Sequence, residues 1–120
     1  MSKLSPIMVK EENYDYQDVE NYISINHSER IKEVSNYIDE NEEEILNHVS
    51  KICHKILKWY NGRMVYLGDF LQYLLLDEFV NVAGMADKTN KRLLDVYASF
   101  LYNIVPINYQ SKAEKDFGGN

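Results

Sequence analysis

From Ile45 to Tyr60 the chain repeats apolar residues at helical spacing. Ile45, Leu46, Val49, Ile52, Cys53, Ile56, Leu57 and Tyr60 all fall on one face. A face of that length must be covered by other apolar surface, so it fixes the class of fold: helices packed on helices. The start and stop signals agree. Asn41 followed by Glu42, Glu43 and Glu44 places a capping side chain and three carboxylates where a helix leaves its first N–H groups unpaired. Asn61-Gly62 supplies the stop, with Gly62 suited to a left-handed position after the last turn.

The same reading extends to the rest of the chain. Asp15 to Ile23 forms a short helix with Tyr16, Val19, Tyr22 and Ile23 on one face, while Pro6 discourages an earlier one. A further helix begins at Asn26 or Ser28, where Asn26 and Glu29 have capping-box spacing, and carries Ile31, Val34 and Ile38. Asp39 to Asn41 is either a tight turn or a kink in one long helix. Met64 to Leu67 is a brief linker or extended piece. Asp69 is placed to cap a helix over residues 69–83 that is apolar nearly all round, as in a bundle centre or an oligomer interface, with Gly84 ending it. Asp87 to Asn90 offers caps for a last amphipathic helix running toward Pro106. Ser111 and Glu114 have the spacing to start one or two final turns. No strand-like alternation persists. The expectation is an all-α protein, a small helical bundle of about four helices with short connections. It divides into an acidic, Tyr-rich segment 1–25, a helical core 26–106 and a tail 107–120.

At 120 residues, 45% of them hydrophobic, the chain has enough material for one core without disulfides. Cys53 is its single cysteine, which excludes a disulfide framework and a cysteine-based zinc cluster and fits a reducing compartment. The N-terminus shows no continuous apolar signal region, and residues 70–83 are too short and too polar to cross a bilayer. A soluble cytoplasmic protein without membrane contact is expected.

Charge is distributed unevenly along this frame. Residues 11–44 hold twelve acidic residues against Arg30 and Lys32, a formal charge of −10 in a chain whose net charge is −6. Such a segment can present an anionic surface to a basic protein partner. The residues expected to meet that partner are Tyr14, Asp15, Tyr16, Asp18, Glu20, Asp39, Glu40, Glu42, Glu43 and Glu44. Tyr14, Tyr16 and Tyr22, set among acids, give large contact area at low entropic cost. Packing onto their own bundle is the equal alternative.

Catalytic patterns are missing from the sequence. It carries no phosphate-binding glycine loop, dinucleotide fingerprint, paired-histidine helix motif or calcium loop. His48 and His54 stand six apart, on different faces of one helix, so they cannot share a metal there, and His27 is remote in sequence. Cys53 belongs to the apolar face and reads as an inert buried thiol. Helix N-terminal enrichment accounts for Glu42 to Glu44 without acid/base chemistry. Neither an enzyme nor a cofactor or metal is expected. Lys51, Lys55 and Lys58 form a basic stripe that Arg63, Lys88, Lys91 and Arg92 extend if the fold brings them close. The negative net charge opposes general nucleic-acid affinity.

Three segments of the second half carry a likeness. Gly68-Asp69-Phe70-Leu71, Ala86-Asp87-Lys88-Thr89-Asn90 and Leu101-Tyr102-Asn103-Ile104-Val105-Pro106, with the trailing Ser111, Glu114 and Lys115, resemble small bacteriophage and prophage proteins of unassigned role. The likeness spans residues 64–117. Where such proteins end on a tryptophan-bearing segment, this chain has Tyr109 and Phe117. The resemblance implies phage origin and a helical fold, and transfers no activity. The acidic segment gives the expected function: a non-enzymatic, phage-type interaction protein that binds a host or viral protein through an anionic face built from residues 11–44, with inhibition of host defence by DNA mimicry as one form. The alternative is an assembly component that forms homo-oligomers through residues 69–83.

Overall fold

The computed structural model describes residues 3–118, with the side chain of Phe79 excepted. Among the described residues eight helices follow one another: α1 (Pro6–Lys10), α2 (Tyr16–Ile38), α3 (Glu42–Tyr60), α4 (Asp69–Leu75), α5 (Phe79–Met85), α6 (Lys88–Lys91), α7 (Leu94–Asn103) and α8 (Tyr109–Phe117). No strand occurs among the described residues. The protein is all-α, and the expectation of about four helices is met only loosely because several stretches are broken into shorter pieces.

α2 and α3 form an antiparallel hairpin that gives the body its frame. Asp15 opens α2 with a capping box: its side chain accepts from the Asp18 N–H, and the Asp18 carboxylate accepts from the Asp15 N–H. The two helices expected over 15–23 and from 26–28 onward are one element with a kink at His27, whose φ of −132° and ψ of 20° are not helical. Asn26 sits beside the break with a side-chain contact of the kind that bends helices. It lies inside the element, and its Nδ2 donates to the Tyr22 carbonyl, the group its backbone N–H would engage in a regular helix. Asp39 closes α2 in the left-handed region at φ 56°, and Asn41 starts α3 by accepting from the Glu43 N–H. Residues 39–41 are therefore a turn between two helices. Asn61 caps the far end of α3, followed by Gly62 at φ 78°, as its glycine signal indicated.

Four local expectations are corrected. Pro6 begins α1 instead of preventing it, because proline lacks an N–H that the first helical position would leave unpaired, and Ser5 caps the helix. Residues 69–83 do not form one helix: α4 ends at Leu75, and Asp77 adopts φ 61° before α5 begins. Asp69 is the first residue of α4 with Gly68 as its cap position, and Gly84 lies within α5. The last amphipathic run is split into α6 and α7, with Asp87 capping α6 through the Asn90 N–H. α8 starts at Tyr109, ahead of Ser111, without a side-chain cap.

One core unites the three segments that the sequence divided. Leu4, Val9, Val19 and Ile23 from the front, Val49, Cys53, Ile56, Leu57, Leu93, Tyr97 and Phe100 from the middle, and Tyr109 and Ala113 from the end belong to a single buried cluster. Each fully buried Leu or Ile contributes about 1.5–3 kcal/mol relative to exposure, so neither terminal segment is an appendage. The radius of gyration, 13.9 Å, is close to the roughly 13.6 Å expected of one compact unit of this length. α8 packs against α4, and Trp59 of α3 stacks on Phe117 at 5.6 Å between ring centroids. No helix is long and apolar enough to cross a membrane among the described residues.

Candidate functional site

The ten residues expected to face a partner lie in two separate groups. Tyr14, Asp15, Tyr16, Asp18 and Glu20 surround the start of α2, and Asp39, Glu40, Glu42, Glu43 and Glu44 surround the turn into α3. At 1.5 Å per residue, about 30 Å of helix separates Asp18 from Asp39. They do not make one continuous face, because an antiparallel hairpin puts its turn at the opposite end from its entry.

The first group is largely engaged within the molecule. Tyr14 donates its hydroxyl to Asn61 Oδ1 at 2.6 Å, and Tyr16 donates to Asn47 Oδ1 at 2.8 Å. Both rings meet the His54 imidazole edge-on, at 6.2 and 5.6 Å. Burial, helped by the nearby Glu12 carboxylate, pushes the Tyr14 hydroxyl up to about 12. Asp15 and Asp18 serve the capping box, Glu20 accepts from Gln17 Nε2, and Glu12 pairs with Arg63 at 2.7 Å. Tyr22 packs edge-on to Phe100 at 6.0 Å. Of the two readings of these tyrosines, packing on their own bundle describes their contacts here.

The second group stands free of such engagement. Asp39, Glu40, Glu42, Glu43 and Glu44 are exposed and take part in none of the ion pairs among the described residues. The turn that carries them is held by backbone: the Asp39 and Glu40 N–H groups both donate to Ser35 O, and the buried Ser35 hydroxyl donates to Glu40 O. Their placement is only partly explained by folding. Glu42, Glu43 and Glu44 favour the start of α3, whereas Asp39 caps the carbonyl end of α2, which repels anions, with no basic residue in its last turn, and Glu40 lies between the two helix ends. Beside them opens a shallow groove of about 500 Å³, lined by Ser28, Glu29, Lys32, Glu33, Asn36 and Glu42. Lys32 is its one cation. Glu33 is partly answered by Arg30 at 3.4 Å.

Other candidate groups take structural places. Cys53 is fully buried, and burial raises its thiol far above the range in which a thiolate forms at neutral pH. His48 Nε2 lies 2.9 Å from Asn90 Oδ1. Among the described residues no group of three or more His, Cys, Asp and Glu side chains is arranged to hold a metal ion. The stripe Lys51, Lys55 and Lys58 is not extended by Lys88, Lys91 and Arg92, which join Arg30 of α2 around a different cleft. Sequence reasoning missed that grouping because Arg30 is 58 residues before Lys88, and no periodicity links the two.

No protein-family model matches the chain, and no curated protein or solved structure matches it.

Proposed function

We propose that this is a non-catalytic docking protein, encoded by a phage, that binds a basic surface of a host or viral protein through the acidic turn between α2 and α3. The observation that carries this reading is the set of five exposed carboxylates from Asp39 to Glu44, none of which joins an ion pair among the described residues. Asp39 occupies a left-handed position that suits aspartate and Glu40 directly precedes the α3 cap, so folding accommodates both residues while leaving their side chains exposed to a partner. Within a screening length of about 8 Å at physiological salt, clustered carboxylates act together on an approaching cation, raising the association rate and setting orientation. A groove that normally holds nucleic acid is a basic surface of this kind, and its occlusion is the form of host-defence inhibition the reading favours. The assembly alternative has less to work with. Leu71, Leu75 and Val82 of the 69–83 stretch are turned inward.

The test is affinity capture by the tagged full-length chain from a bacterial host lysate, in parallel with a variant carrying Glu40→Gln, Glu42→Gln, Glu43→Gln and Glu44→Gln. A stoichiometric basic partner should be retained by the native chain, released by salt and lost by the variant. Equal capture by both proteins defeats the proposal.

A further inference from the structure

We propose that the cleft between the middle of α2 and α6, lined by Arg30, Lys88, Lys91 and Arg92, is a binding site for the phosphoryl groups of a small polyanion of the pyrophosphate class. Among the described residues, four cationic side chains line a space of about 460 Å³. That volume lies within the range of small-ligand sites.

The cleft is built and held. Arg30 reaches across from α2: its Nη2 donates to the Arg92 carbonyl at 2.9 Å, and its Nε lies 3.0 Å from Asp95. The Arg92 guanidinium lies over the Tyr37 ring, 3.4 Å from its centroid. Arg92 Nε is shielded from solvent and has no hydrogen-bond partner. Both forks are thus fixed before any ligand arrives, which lowers the entropic cost of binding.

The charges do not cancel. Arg30 is answered by Glu33 and Asp95, whereas Lys88, Lys91 and Arg92 join none of the ion pairs among the described residues. Lys91 closes α6, where the carbonyl end favours a cation, but Lys88 opens it, where unpaired N–H groups disfavour one, and the two are like charges three residues apart. An anion seated among them removes that repulsion. A phosphoryl group suits the site better than a carboxylate because it offers more acceptor oxygens and more charge to the Arg92 guanidinium and the two lysine ammonium groups.

The surroundings favour a small ligand. Glu33 and Asp95 pair with Arg30, and Asp87 immediately precedes Lys88, so carboxylates stand next to the cations and disfavour a long polyanion. The lining has no aromatic side chain to stack a base, and Arg92 already covers a face of Tyr37.

Calorimetric titration of the full chain with pyrophosphate, at ionic strength held constant with sodium chloride, tests the site. Saturable binding is expected, weakened about tenfold or more in the Lys88→Ala/Lys91→Ala variant. Both lysines are exposed, so circular dichroism of that variant should match the native chain. Arg92→Lys, which keeps the charge and loses the fork, should also bind less tightly. Absence of saturable binding, equal binding by the double variant, or tighter binding of a short single-stranded oligonucleotide at equal phosphate concentration each overturns the proposal.

Discussion

The buried hydroxyl of Tyr97 donates to Asn90 Oδ1 across 2.6 Å, tying α7 to the end of α6. The same oxygen lies 2.9 Å from His48 Nε2, and the Asn90 N–H donates to Asp87. One asparagine therefore joins α3, α6 and α7. Burial raises the Tyr97 hydroxyl well above its ordinary value, so it remains a donor throughout the accessible pH range. Asn90→Ala should cost about 2 kcal/mol, since it strands the hydroxyl of a residue with no exposure. Tyr97→Phe should cost about 1 kcal/mol, because His48 still engages Asn90. Urea denaturation of the two variants orders them, and equal midpoints would show that Asn90 is not a hub.

Two histidines give stability a pH dependence. His27 and His54 are held below the ordinary value of 6.5, in both cases mainly by burial; Lys58 lowers His54 further, while Asp15 and Asp95 pull His54 and His27 respectively the other way. The unfolded chain then takes up protons before the folded one. Their contribution is complete above about pH 6.5 and is lost as pH falls through that value toward the folded-state pKa values. The urea midpoint should decrease from about pH 7.5 to about pH 5.5, and His27→Gln/His54→Gln should flatten the decrease. A double variant with the native slope would assign the effect to other groups.

The turn that carries the acidic cluster depends on its own caps. Asn41→Ala removes the acceptor for the Glu43 N–H and should lower stability by about 1 kcal/mol. Asp39→Val places a branched side chain at φ 56° and should cost more, whereas Asp39→Asn, which tolerates the left-handed region, should be nearly neutral. Thermal midpoints of the three variants provide the comparison, and an Asp39→Val variant as stable as the native chain would refute the left-handed assignment.

The single tryptophan reports on the C-terminal helix. Trp59 Nε1–H donates to Asp116 Oδ2 at 2.9 Å, Lys112 pairs with the same carboxylate at 3.2 Å, and Phe117 stacks on the indole. Asp116→Ala with Phe117→Ala should shift Trp59 emission to the red and cost about 2 kcal/mol, the sum of a lost charge-assisted bond and lost apolar cover. Unchanged emission would mean that α8 does not cover Trp59.

Much of this architecture is legible without coordinates. The apolar period of Ile45 to Tyr60, the Asn41 cap, the glycine after Asn61 and the buried character of Cys53 are local or periodic properties, and each holds in the structure. The break at Asp77 was not legible, because it interrupts a run whose spacing favours continuation, and around His27 the sequence suggested two helices where the structure has one kinked element. The candidate site divides in the same way. A count of acids from Glu11 to Glu44 established that the segment is strongly negative. It could not show that Asp15 and Asp18 serve a cap while the carboxylates of Asp39 to Glu44 join no ion pair among the described residues.

The amino-acid sequence by itself determined the helical class and the charge of its front third, since periodicity and composition are read along the chain. Tertiary structure alone decided which charges are neighbours. It placed the two acidic groups at opposite ends of α2, joined Arg30 to Lys88, Lys91 and Arg92, and gathered His48, Tyr97 and Asp87 on Asn90. The physical reason is that electrostatic and hydrogen-bonding partners are set by distances through space, and those distances exist only after the apolar faces have found one another.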